Sequence, residues 1–146
     1  MTKLTSNPCE LCNSAGGKTL WQDDLCRVVL VEDRDYPAFC RVILNRHVSE
    51  MTDLDAATGQ RLMRVVFAVE QALRALLQPT KINLASLGNM VAHLHWHVIP
   101  RFADDKHFPA SVWGEPQRAG TPHGVDSGAL KQTLHKLLPA VAEWAP

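Results

Sequence analysis

The run Val91-Ala92-His93-Leu94-His95-Trp96-His97-Val98-Ile99-Pro100-Arg101 constrains this chain more than any other stretch. Polar and apolar residues alternate along it, a period of two that predicts a β-strand with residues i, i+2 and i+4 on one face. His93, His95 and His97 are therefore expected to line one surface roughly 6.5–7 Å apart, with Leu94, Trp96 and Val98 packing behind them. A packed core gains nothing from three adjacent titratable rings, so the pattern predicts a functional site. Such a row can ligate a metal, or it can attack an electrophile and relay protons. Pro100 limits further pairing, and Arg101 leaves a cation near the strand's exit.

The 146 residues suit one domain with one core, residues 1–146. Within it, residues 1–17 form an N-terminal segment and 103–146 an irregular tail with a final helix. Fifteen basic residues balance fifteen acidic ones, so no global field recruits nucleic acid or an anionic membrane. No apolar run approaches about 18 residues, the lower end for a membrane span, and the first eight residues lack an apolar leader core. A cytoplasmic protein is expected, with Cys9, Cys12, Cys26 and Cys40 reduced.

Cys9-Glu10-Leu11-Cys12 is half of a zinc site, because two thiols separated by two residues suit tetrahedral geometry. Two further ligands must come from elsewhere in the chain, and the flexible Asn13-Ser14-Ala15-Gly16-Gly17 that follows offers none. A redox role would want a helix N-terminus and a βαβ context, which Gly16-Gly17 does not provide.

Thr19-Leu20-Trp21 and Arg27–Val31 read as strands joined at Asp23-Asp24, and Cys40–Leu44 as a third strand, followed by His47. Between the second and third lies the loop Glu32–Pro37, where Asp33 and Asp35 suit turn formation. Asp53 or Asp55 can cap a helix of about 24 residues, roughly 36 Å long, running through Gln78. Its apolar positions, Leu62, Val65, Val66, Val69, Leu73, Leu76 and Leu77, recur at helical spacing until Pro79. Lys81–Leu87 reads as a fourth strand, turned by Gly88-Asn89 into the histidine strand. Strands, one helix and a hairpin argue for an α+β fold with an antiparallel sheet. After Phe102, prolines and glycines predict an extended loop lying over other structure. In that loop, Trp113 is expected to fold back over a bound ligand, over a partner subunit, or over an apolar patch. Ala129 to Ala145 can form a last helix, strained at Pro139.

His93-Leu94-His95-Trp96-His97-Val98-Ile99 resembles the signature of the histidine triad (HIT) family, and the element order over about residues 18–102 is similar too. The tail from Phe102 to Gly114 resembles the bacterial diadenosine-tetraphosphate-hydrolase-like branch. The resemblance implies an antiparallel sheet of about five strands with one long helix and a C-terminal helix. It also implies a homodimer, and a nucleotide substrate with a phosphoanhydride or phosphoramidate bond, cleaved at the α-phosphate with no cofactor. His95 resembles the nucleophile, which forms a nucleotidyl-imidazole that water then cleaves. Neutral imidazole suits this role, being nucleophilic near pH 7 and a good leaving group once on phosphorus. His97 resembles the donor to the non-bridging oxygens, and His93 completes the catalytic triad. Asn89 resembles a polar residue near phosphate, and Asp33 the residue that holds ribose. Some bacterial members are similar in using a C-x-x-C pair with two histidines for structural zinc. The matching positions here are Cys9, Cys12, His47 and His93.

Two departures stand out from the family pattern. Many members carry a histidine in a Pro-Gly-His run entering the third strand, where this chain has Pro37-Ala38-Phe39. The turn before the triad is short, Leu87-Gly88-Asn89. Two other readings remain open: a metalloenzyme in which the three histidines ligate Fe, Mn or Zn, and a HIT-fold nucleotide-binding protein with little turnover. The metalloenzyme would want a carboxylate ligand where Val98-Ile99-Pro100 stands, and more strands in place of the helix over 53–78.

Overall fold

The computed structural model describes residues 8–139. Strands β1 (Lys18–Gln22), β2 (Cys26–Leu30), β3 (Cys40–Leu44), β4 (Lys81–Ala85) and β5 (His95–Arg101) form one sheet in the order β1-β2-β3-β5-β4. Every neighbouring pair is antiparallel, as the expected α+β class requires. The helices are α1 (Glu10–Asn13), α2 (Ala56–Leu77) and α3 (Ser127–Leu137).

Period-two alternation divides the strand residues between two faces. Val28, Cys40, Val42, Leu44 and Val98 point into the main core, against Leu62, Val65, Val66, Val69 and Leu73 of α2 and Leu130 and Leu134 of α3. Asp55 caps α2 by accepting a hydrogen bond from the Thr58 N–H at 2.8 Å, while Asp53 belongs to the preceding short 3-10 turn. Gln78 closes α2 in the left-handed region at φ 48°, and Pro79 prevents continuation. Asp126 caps α3 through the Ala129 N–H at 2.8 Å. That helix therefore starts two residues before the expected Ala129 and ends at Leu137, ahead of Pro139. The remainder of the expected helix, residues 140–145, lies outside the described residues. None of the described helices is long and apolar enough to cross a membrane.

The other sheet face carries Val29, Phe39, Arg41, Ile43, His95, His97 and Ile99, and two irregular segments cover it. At one end Leu11 packs on Val29 and Ile43. At the other, Tyr36 packs with Phe39 and Ile99, joined by Val112 from the tail. Gly16 and Gly17 serve this closure. Gly16 takes φ +84°, and a Cβ on Gly17 would lie 2.6 Å from the Leu30 carbonyl oxygen.

The histidine strand starts later than its alternation predicts. β5 begins at His95, because Leu94 bonds by its backbone to Val48 and Leu44, outside the β4 ladder. His93 is thereby diverted from the row. β4 also stops at Ala85, two residues before Leu87, so the segment from Ser86 to Leu94 is a loop.

Candidate functional site

His95 and His97 stand side by side on β5, ring centroids 4.9 Å apart and planes at 85°. Both are buried, His95 at 9% and His97 at 5% exposure, so their surroundings govern their chemistry. His95 Nδ1 lies 2.5 Å from the His93 carbonyl oxygen. A carbonyl can only accept, so Nδ1 carries the proton and Nε2 keeps the lone pair. The Ser86 hydroxyl donates to the His95 carbonyl at 2.9 Å, tying the preceding loop to the same residue. Burial, helped by the neighbouring His95 and by Arg41, depresses the pKa of His97 to about 4. His97 is thus a neutral ring whose buried Nδ1 has no partner among the described residues. Phe39 meets it edge-on at 5.4 Å and Trp113 at 5.0 Å.

His93 faces a different neighbourhood. Its Nε2–H donates to the Leu44 carbonyl at 2.6 Å, which leaves the Nδ1 lone pair to point at the C-x-x-C segment. Nδ1 lies 3.4 Å from Cys9 Sγ, 3.5 Å from Cys12 Sγ and 3.3 Å from His47 Nδ1. Cys12 Sγ is in turn 3.3 Å from His47 Nδ1, and the four ligand atoms all fall within 4.8 Å of one another. Zinc with bonds of about 2.3 Å to sulfur and 2.0–2.1 Å to nitrogen would set tetrahedral S···N edges near 3.6 Å and an N···N edge near 3.3 Å. The cluster matches that donor set in type and number, its edges of 3.3–3.5 Å lie close to those spacings, and the Leu44 carbonyl would supply the outer hydrogen bond that fixes a histidine ligand. Arg27 holds the segment in place, donating to the carbonyls of Leu11 at 2.6 Å, Ser14 at 3.1 Å and Ala15 at 2.9 Å.

On the opposite flank Arg101 is not the open cation its position suggests. It is 2% exposed and grips Asp105 through Nε–H at 2.8 Å and Nη2 at 3.0 Å. Burial alone would raise the Asp105 pKa. Arg101 and the Phe102 and Phe108 amides outweigh it and hold the carboxyl well below the usual range. Tyr36 donates from its hydroxyl to Asp105 at 3.2 Å and shares a 2.7 Å hydrogen bond with His107 Nδ1. Burial and Asp105 push the Tyr36 pKa up to about 12. This network seats the tail that carries Trp113 against His97.

The expected site residues thus divide. His95, His97 and Trp113 come together, and Cys9, Cys12, His47 and His93 form a second cluster. Asp33 accepts from the Asp35 and Tyr36 amides at 2.9 and 3.1 Å, forming the expected turn. Asn89 is exposed in the loop before β5. Two residues of this face went unread in the sequence. Phe39 buttresses His97, and Arg41, paired in register with His97, places its guanidinium 5.8 Å from the Phe39 ring. An arginine inside the apolar run Cys40–Leu44 was the available signal.

Solved relatives share this arrangement of chain. A histidine triad protein from Marinobacter aquaeolei VT8 is 28% identical, with a TM-score of 0.68 over 95% of this chain and 98% of its own. One from Bradyrhizobium japonicum is 29% identical, with a TM-score of 0.63 over 82% and 88%. A histidine triad (HIT) protein from Sinorhizobium meliloti 1021 is 25% identical, with a TM-score of 0.69 over 92% and 98%. A comparison with curated proteins yields no match. The HIT domain model matches residues 14–104, a span that takes in the whole sheet and both His95 and His97, and the chain belongs to the HIT family.

Proposed function

We propose that this protein is a nucleotide hydrolase that cleaves at an α-phosphate through a covalent nucleotidyl-histidine on His95. The observation that carries the reading is the hydrogen bond from His95 Nδ1–H to the His93 carbonyl, which presents the Nε2 lone pair beside neutral His97. Nε2 attacks phosphorus, a P–N bond forms, and the bond to the leaving group breaks with its electron pair. Water then attacks the same phosphorus, the P–N bond breaks, and its pair returns to Nε2 while the water's proton passes to solvent. His97 donates a hydrogen bond to the non-bridging oxygens as charge builds there. Trp113 borders the nucleotide, Asp33 reads ribose with the carboxylate oxygen its turn leaves over, and Asn89 reaches phosphate from its loop.

A metal held by all three triad histidines is disfavoured. His93 turns toward the thiols, and His95 Nδ1 is committed to a carbonyl. Zinc at Cys9, Cys12, His47 and His93 would instead be structural, with four protein ligands and no open position. Thiols kept reduced for that purpose fit a cytoplasmic setting. A homodimer is supported by the open edge of β4 and by the groove on α2 where half-exposed Phe67 meets Met51 and Met63.

The test is His95→Asn, assayed against diadenosine tetraphosphate and adenosine 5′-phosphoramidate. Loss of a nucleophile is expected to lower kcat by about 10⁴–10⁶-fold with the melting curve intact. Retention of a tenth of wild-type turnover would falsify the covalent route.

A further inference from the structure

We infer that Arg41 receives the departing phosphate chain, and that the site is therefore built for phosphoanhydrides, not phosphoramidates. This rests on the hydrolase reading above and chooses between the two bond types that reading leaves open. Three arginines root in the strands around the triad, and two are spoken for. Arg27 is spent on the carbonyls of the N-terminal segment, and Arg101 on Asp105 and the Ala110 carbonyl. Arg41 has no hydrogen bond or ion pair among the described residues, and its Nε is buried without a partner. Glu10 of α1 is the acidic group whose field reaches it. A half-buried guanidinium is costly to keep without an anion, so an anion is what the position lacks.

The register says where that anion would lie. Arg41 pairs with His97 across the β3–β5 ladder, so their side chains stand on the same face as neighbours. Phe39, two residues earlier on that face, contacts both the guanidinium at 5.8 Å and the His97 ring at 5.4 Å. The aromatic ring thus props a cation beside the neutral donor, at the edge of the space that His95 Nε2 addresses.

Leaving-group chemistry then selects the substrate. An amine leaving from phosphorus must be protonated, whereas a phosphate leaves as a stable anion and needs only its charge met. Arginine serves the second need and not the first, because it stays protonated under all ordinary conditions. Phe39 can supply no proton, and His97 is a neutral ring with a pKa of about 4, a poor acid near neutrality. In the first step the P–N bond to His95 forms, the P–O bond to the next phosphate breaks, and that oxygen keeps the electron pair and binds Arg41. The charge that builds on the leaving oxygen in the transition state is stabilised by the same contact.

The experiment compares Arg41→Met and Arg41→Lys with wild type on two substrates, diadenosine tetraphosphate and adenosine 5′-phosphoramidate. It adds equilibrium binding of ADP and AMP to each protein. Arg41→Met is expected to lose about 100-fold in kcat/KM on the tetraphosphate and only a few-fold on the phosphoramidate. It should also weaken ADP by about tenfold or more while leaving AMP within about threefold, and Arg41→Lys should recover part of both losses, keeping the charge without the fork. Equal losses on both substrates, or equal weakening of ADP and AMP, would overturn the assignment. So would a wild-type preference for the phosphoramidate. A wild type that turns over normally with Arg41→Met unaffected removes Arg41 alone. A wild type that binds neither nucleotide removes the hydrolase reading with it.

Discussion

The two flanks of the triad solve one problem by different means. Each must hold an irregular segment against the same sheet face. On the tail side the fastening is complete in itself: Arg101, Asp105, Tyr36 and His107 satisfy one another in a buried network of opposite charge and hydrogen bonds. On the N-terminal side, Cys9, Cys12, His47 and His93 converge four atoms that all carry lone pairs. That set has nothing of opposite charge within it, and a cation would complete it. The tail fastening thus needs no metal, and on the zinc reading the N-terminal fastening is conditional on one. Both reach the paired histidines of β5, the first through Trp113 on His97 and the second through the His93 carbonyl on His95.

Breaking the self-contained flank should have the largest effect. Asp105→Asn leaves the 2%-exposed Arg101 cation without its counter-charge. Removing one partner of a buried pair typically costs about 3–5 kcal/mol. Urea unfolding should show that loss, with no recovery on adding zinc. A loss under about 1 kcal/mol would mean that the network does not fasten the tail.

How much of this was legible beforehand depends on whether a residue's fate is local. The alternation through His95 and His97, the apolar stripe of α2 and the Asp55 cap are written in neighbouring residues and stand as expected, except that the stripe's last turn runs past the core and leaves Leu76 exposed. The diversion of His93 is not local, since it follows from Leu94 bonding to Val48 and Leu44 rather than to β4. The arginines are the clearest case. Arg27, Arg41 and Arg101 look alike in a strand, yet their surroundings are set by cross-strand register and by segments up to 18 residues distant, such as Asn45 and the α1 residue Leu11 around Arg27. Asp105, four residues from Arg101, was the one partner close enough to have been paired in advance. Of the cluster that could hold zinc, Cys9 and Cys12 were readable from their own spacing, whereas His47 and His93, 35 and 81 residues from Cys12, entered only through the family resemblance.

The conditional flank should respond to metal and the other should not. Zinc at 100 to 1,000 times its dissociation constant should stabilise the wild type by about 2.7–4.1 kcal/mol, read as a rise in melting temperature. Cys9→Ser should melt with the chelated wild type and gain nothing from zinc at the same concentration. Elemental analysis should find about one zinc per wild-type chain. A wild type whose melting is unmoved by chelator or zinc would reduce the cluster to packed thiols.

Acid separates the flanks with the smallest expected effect. In the tail network Asp105 and Tyr36 keep their charge states between pH 4 and 9, because Asp105 titrates well below that range and Tyr36 at about 12. His97 does not share that immunity. Its pKa is depressed to about 4 in the folded chain by burial, His95 and Arg41, against about 6.5 for a free imidazole. Between those values the unfolded chain binds the proton and the folded chain refuses it, so stability is full above about pH 6.5 and falls as pH drops toward 4. The His97 contribution is about 1 kcal/mol between pH 6.5 and 5.5, and about 3 kcal/mol by the end of the window. Measuring urea stability against pH for chelated wild type and His97→Asn isolates it, because the other histidines are common to both. The wild-type curve should fall more steeply by that amount and run parallel to the variant's above pH 7. Parallel curves throughout would show that His97 takes up its proton in the folded chain as freely as in the unfolded one. It could not then be the neutral donor beside His95.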